Sequence, residues 1–278
     1  MTRPSIPPRS IFLASVAVPL LMTIAACSAE TDQQAAQDDG AAATKNEAGS
    51  GASAAAKASL VEQKGEALEF TYSYPAVAAE IPKLAAHLDK DRESKRAQTN
   101  SDALDAQADA KANGYPVHTH IFTQKWEKVA QTPRFLSLSS DVETYTGGAH
   151  GMVNFQAILW DRKDDVAVNP LDIFTSASAF DIAVEREFCT GIVAEKKKRG
   201  IEPLEADNEI FEACPRASQQ TLWLGSSDGQ QMDRMTIAIP AYIVGPYAEG
   251  NYRINVPISQ AVAQVVKPQY AADVRAKK

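Results

Sequence analysis

From residue 60 onward the apolar positions fall into alternating periods. Leu68, Phe70, Tyr72 and Tyr74 occupy every second place among polar residues, the spacing of a half-buried strand, and Pro75 ends it. From Pro82 to Asn113 the sequence becomes Ala-rich and charged, with Leu84, Leu88, Leu104 and Ala108 loosely at helical intervals and Asn113-Gly114 closing the run. So thin a stripe predicts a mostly solvated helix, or two helices with a break. Tyr115–Val129, Phe135–Tyr145 and Met152–Asp161 read as three strands. In the third, Val153, Phe155, Ala157 and Leu159 share one face and Trp160 takes the other. Phe180, Val184, Phe188 and Ile192 recur every four residues, predicting a helix over Phe180–Arg199. A shorter helix is expected over Glu202–Cys214, and two closing strands over Met235–Ile243 and Tyr252–Ile258. Strands and helices come in blocks without βαβ alternation, so the expected class is α+β, a largely antiparallel sheet packed with helices.

Ahead of this body the pattern changes twice. Ser28 to Ser59 holds no apolar residue larger than Ala. Such a segment cannot offset its ordering entropy and is expected to act as a flexible tether, roughly 30 Å from end to end. Before it, Arg3 and Arg9 precede an uncharged run from Ile11 that closes on Ile24-Ala25-Ala26-Cys27. A basic start, a short apolar stretch and small residues before a cleavage point describe a secretory signal rather than a membrane span. The final four residues resemble the lipobox of bacterial lipoproteins. That resemblance implies a diacylglycerol on Cys27, removal of residues 1–26 and anchoring by acyl chains, at about 0.8 kcal/mol per buried CH₂. Ser28, in place of Asp, points to the outer membrane of a Gram-negative cell, with the body facing the periplasm.

Loss of the signal takes the net charge from −7 to −9. An acidic chain whose largest basic cluster is Lys196-Lys197-Lys198-Arg199 is a poor nucleic-acid binder. Those four residues read as the cationic last turn of a helix capped by Gly200. With Cys27 assigned to lipid, Cys189 and Cys214 remain in an oxidising compartment, where two thiols pair. Zinc is the competing reading, but neither Cys belongs to a C-x₂-C pair or has a nearby His.

The sharpest local motif is Tyr145-Thr146-Gly147-Gly148-Ala149-His150-Gly151, with three glycines in five residues between strand patterns. Tyr145, Gly147, Gly148 and His150 are candidates for a ligand loop, and a plain hairpin turn with a locally packed His is the alternative. His118 and His120 form H-x-H on an expected strand, both rings on one face, but no third metal ligand is visible and no metal or cofactor is assigned. His87, near the start of the first helix, reads as ordinary. Ser137, Ser139 and Ser140 lack a nucleophile elbow, and Asp141 with Glu143 has the spacing of a solvated strand face. No catalytic residue is assigned.

Several of these segments together carry a family resemblance. Phe135-Leu136-Ser137-Leu138-Ser139 followed by the Tyr145–Gly151 motif resembles the core signature of the domain of unknown function 3298, the RsiV-like family. Pro170-Leu171-Asp172-Ile173-Phe174 is similar to the segment before that family's main helix. Ala241 to Gly250, running into Val256-Pro257-Ile258, resembles its closing pattern. The block from Leu68 to Trp126 resembles a companion, domain of unknown function 4163. The resemblance implies a companion region over residues 60–130 and the RsiV-like domain over 131–278, after a signal at 1–26 and a lipidated tether at 27–59.

A family member in Bacillus is an anti-sigma factor whose extracellular part binds lysozyme, and the companion also occurs beside a catalytic domain in peptidoglycan deacetylases. The resemblance thus implies a non-enzymatic, membrane-tethered binding module for an envelope or protein ligand, with a lysozyme-type hydrolase as the example. The sequence shows no cytoplasmic sigma-binding segment before a membrane span, so anti-sigma activity is not expected. The alternative is a metal-dependent or acid/base hydrolase of cell-wall material using some of His118, His120 and His150.

Overall fold

The computed structural model describes residues 57–277 except 206, 207 and 209. The signal, Cys27 and most of the tether lie outside the described residues. A six-stranded sheet runs in sequence order: β1 (Ser59–Lys64), β2 (Leu68–Tyr74), β3 (His120–Gln131), β4 (Phe135–Tyr145), β5 (Met152–Asp161) and β6 (Val166–Val168). Every pairing is antiparallel except β2 with β3. That parallel step needs a long crossover, supplied by α1 (Ala76–Ala79) and α2 (Pro82–Asn113). A second sheet holds β7 (Thr221–Gly225), β8 (Arg234–Ile239) and β9 (Tyr252–Pro257), all antiparallel. The helices α3 (Ala177–Lys198) and α4 (Gln260–Gln264) complete the body. The α+β class is as expected.

The elements stack as α2, large sheet, small sheet and α3. On the α2 side, Phe70, Tyr72, Phe122, Trp126, Leu138 and Trp160 pack with Leu84, Leu88 and Ala103 of the helix. The thin stripe predicted for α2 is real, and the helix is continuous. Leu104 is 52% exposed, however, and Ala108 is exposed, while Ala103 takes the buried place. Polar contacts do the rest of the docking: Tyr72 and Tyr74 donate their hydroxyls to Asp91 and Asp89, each at 2.9 Å. Between the sheets, Phe155 meets Trp223 and Ala238. On the far side of the small sheet all four predicted α3 residues, Phe180, Val184, Phe188 and Ile192, are buried against Ile237, Tyr252 and Ile254. Ser176 caps that helix by accepting from Ala179 N–H at 3.0 Å.

Several boundaries differ from expectation. β4 and β5 match, but β3 starts at His120 rather than Tyr115, and β8 ends at Ile239 because a turn follows. β1, β6 and β7 were not anticipated. The helix expected over Glu202–Cys214 is not formed among the described residues of that stretch. Instead the Asn208 carboxamide accepts from the N–H groups of Ile210 and Phe211 at 3.0 and 2.7 Å, holding a turn in place of helical bonding. The expected disulfide joins Cys189 to Cys214 and staples this irregular segment to α3, with Cα atoms 5.3 Å apart. The division anticipated between residues 130 and 131 falls at the last residue of β3, a strand that pairs with β4 over nearly its whole length. No helix among the described residues is long and apolar enough to cross a membrane.

Candidate functional site

The glycine-rich motif is the turn between β4 and β5. Gly147 and Gly148 have φ of 99° and 91°, on the side of backbone space that side chains disfavour. The Tyr145 hydroxyl donates to Gly148 O at 3.2 Å across the turn. His118 lies edge-on to the Tyr145 ring with centroids 6.4 Å apart, and a β-carbon on Gly147 would sit 3.4 Å from His118 Cδ2. The turn therefore rests on the segment leading into β3.

A second loop, between β8 and β9, comes to meet it. Tyr242 has φ of +73°, and its N–H donates to Gly245 O at 3.1 Å. The Asn251 carboxamide accepts from Ala241 N–H at 2.9 Å. Tyr247 then stacks on His150 with ring centroids 3.6 Å apart and planes 14° from parallel. His150 Nδ1 lies 3.0 Å from Gly151 O, which can only accept, so Nδ1 carries the proton. Nε2 is in hydrogen-bond contact with the Tyr242 hydroxyl at 3.1 Å. The result is an imidazole held between two tyrosines, with Tyr242 47% and Tyr247 37% exposed.

The platform is rigid because of what lies under it. The Glu249 carboxylate accepts from Lys196 Nζ at 2.6 Å and from the Tyr252 hydroxyl at 2.5 Å, with Lys196 only 1% exposed. Burial and the adjacent Glu249 push the Tyr252 hydroxyl well above its ordinary pKa, so it stays a donor. Arg199 donates to Glu249 O at 2.9 Å and Asn251 O at 3.0 Å, and its guanidinium covers the Tyr252 ring at 4.0 Å. Glu212 N–H donates to Ile243 O at 2.9 Å, so the segment stapled by Cys214 also braces the loop. The basic turn predicted to oppose the α3 dipole does so, and two of its four cations also anchor this loop.

Of the predicted loop residues, the structure brings Tyr145, Gly147, Gly148 and His150 into one turn. His150 is packed against Tyr247 and Tyr242 and remains at the surface. The histidine pair separates. His120 opens β3 and is 7% exposed, whereas His118 precedes the strand and is exposed, so the two do not form the shared face that a metal pair needs. Ser137 is buried with no hydrogen-bond partner for its hydroxyl. Asp141 pairs with Arg253. Tyr242, Tyr247 and Glu249 were part of a recognised pattern but carried no assigned role. The signal was their membership in the second of two family-like segments, and what sequence could not show is that the two segments touch.

A two-sheet α+β body with an exposed aromatic cluster at the meeting of two loops defines the class. Its fold is shared with a crystal structure of a member of the domain of unknown function 3298 family from Bacteroides fragilis, at 16% identity and a TM-score of 0.52, over 78% of this chain and 96% of that one. A family member's structure from Pseudomonas aeruginosa PAO1 aligns at 14% identity and a TM-score of 0.47, over 79% of this chain and 98% of that one. Residues 61–153 match the family described as Deacetylase PdaC. No curated protein matches the sequence.

Proposed function

We propose that this chain is a lipid-anchored periplasmic binding module, tethered through Cys27 to the outer membrane, whose ligand surface is the Tyr242–His150–Tyr247 cluster. The observation that carries the reading is the cluster itself: three aromatic rings left at the surface, yet fixed by a buried ion pair beneath them. Rigid aromatic side chains that bring large contact area at little entropic cost are the usual anchors of protein interfaces. The cluster is exposed where two loops meet and lines none of the larger cavities, which suits the surface of a protein better than a small molecule. The acidic balance of the mature chain favours encounter with a cationic partner. A lysozyme-type hydrolase, the example implied by the family resemblance, is the first ligand to try.

The test is capture of c-type lysozyme by the full chain, with Tyr247→Ala and His150→Ala as the site variants. Binding that weakens by about 30-fold in Tyr247→Ala supports the reading, because truncating an anchor costs about 2 kcal/mol. Binding unchanged in both variants rejects the surface, and no binding at micromolar concentration rejects this partner. Membrane fractionation of Cys27→Ala tests the anchor. A variant that stays with the membrane rules it out.

A further inference from the structure

A cavity of about 300 Å³ lies between α2, the outer edge of β5 and the chain entering β7. Its volume is at the lower end of the range for small-molecule sites, about 300–1,000 Å³. Trp126 and Asp91 line it together with the amides of Gln156, Asn169 and Gln220, and His87 sits at its rim. No lysine or arginine is among the lining residues, so no cationic side chain of the lining would balance an anion. Asp91 already accepts from Tyr72, whose oxygen in turn accepts from Trp126 Nε1 at 2.8 Å. The other Asp91 oxygen lies 3.7 Å from Lys95 Nζ, which balances its charge, and the indole nitrogen is turned to Tyr72.

The amides are placed to serve a ligand. Gln124 Nε2 donates to Gln156 Oε1 at 2.9 Å, which orients the Gln156 amide, and its N–H groups have no partner among the described residues. Asn169 Oδ1 accepts from Leu171 N–H, which leaves its amide donors free in the same way. The sheet adds backbone groups. Arg162 N–H donates to Arg134 O, so alternate residues of β5 turn towards β4 and the others, including Phe155 and Ala157, point off the edge. Thr221 takes the Phe155 carbonyl at 3.1 Å, and β6 covers only Leu159 to Asp161. The backbone of Ala157 has no partner among the described residues.

We propose that this cavity binds a neutral, hydroxyl-rich ligand of one or two sugar rings. Amides that can donate, an unpaired carbonyl and N–H, and the apolar lining from Ile158, Leu171 and Leu222 complement a sugar, whose edge both donates and accepts and whose ring face is apolar. Strand addition by a peptide is the competing use of a free edge. The closure of this edge by Thr221 at one point and β6 at the next leaves no room for an extended chain, and a compact ligand fits. The site is separate from the aromatic cluster, so the two readings stand or fall independently.

The experiment titrates the full chain with cellobiose and with the disaccharide of N-acetylglucosamine, read by ligand-detected NMR and by tryptophan fluorescence. Saturable binding of either sugar at about 1 mM or tighter is expected, weakened about tenfold in Gln156→Ala and unchanged in Tyr247→Ala. Should Gln156→Ala fail to fold, Gln220→Ala at the half-buried mouth carries the same expectation. The proposal is overturned if neither sugar binds, if binding survives unchanged in the folded glutamine variant, or if a strand-forming heptapeptide binds there in place of the sugars.

Discussion

Lys196 and Glu249 are 53 residues apart in sequence and 2.6 Å apart in space, with the ammonium almost wholly shielded from water. A lone charge left there would be costly, so the pair stands or falls together. Lys196→Met should destabilise the protein by about 3–5 kcal/mol in urea unfolding, because it strands a carboxylate beside Tyr252. The double variant Lys196→Met, Glu249→Gln should recover a large part of that loss. A double variant as unstable as the single one would show that the ion pair is not the cause.

Gly245 backs directly onto the Glu249 carboxylate, which a β-carbon at that position would overlap. Gly245→Ala is expected to push Glu249 off Lys196 and cost about 1–3 kcal/mol. Because the same loop carries Tyr242 and Tyr247, the variant should also weaken partner capture at a temperature where it is still folded. Stability and capture both at wild-type level would contradict this geometry.

Acid sensitivity should trace to Arg134 and Asp161. Burial opposes ionisation of Asp161, but hydrogen bonds from Arg134 and from the backbone of Lys163 outweigh it and hold the carboxyl below its usual 3.8. A depressed folded-state pKa contributes stability above the unfolded value, and that contribution is lost as pH falls through the folded one. The unfolding free energy should therefore drop as pH falls below about 4, and the slope should flatten in Asp161→Asn. At pH 7 that variant should lose about 3–5 kcal/mol, since Arg134 keeps Asp273 but loses its most buried partner. An identical acid slope in the two proteins would place the sensitivity elsewhere.

The Cys189–Cys214 bridge closes 25 residues. Its loss is expected to remove roughly 3 kcal/mol, or about 6–12 °C of Tm. Scanning calorimetry of Cys189→Ala, Cys214→Ala against the oxidised protein measures this. Glu212 braces Ile243 from the stapled segment, so capture through the aromatic cluster should fall further than the stability loss alone explains. Equal Tm values would leave the bridge without a structural role.

What could be read from the sequence were elements that bury one face. The four-residue spacing from Phe180 to Ile192 and the alternation from Leu68 to Tyr74 each record a single boundary between core and solvent, and both elements form as expected. β7 is different: Leu222 and Leu224 face α3 while Trp223 faces the large sheet. Covered on both sides, it shows no alternation. β1 fails for the opposite reason, an edge strand with Leu60 60% exposed. The irregular stretch after Gly200 looked helical by composition, and local bonding from Asn208 together with the Cys214 staple overrode propensity. The first loop of the site was legible through its glycines. Its partner loop was visible only as a pattern, because contact between Tyr242 and His150 is set by how two sheets stack.

That stacking has a consequence for timing. His150 belongs to the sheet that is synthesised first and Tyr247 to the second, nearly a hundred residues later. Neither hairpin carries the recognition surface alone. A partner that reads the stacked rings is blind to the nascent or clipped chain, and engages only a finished molecule.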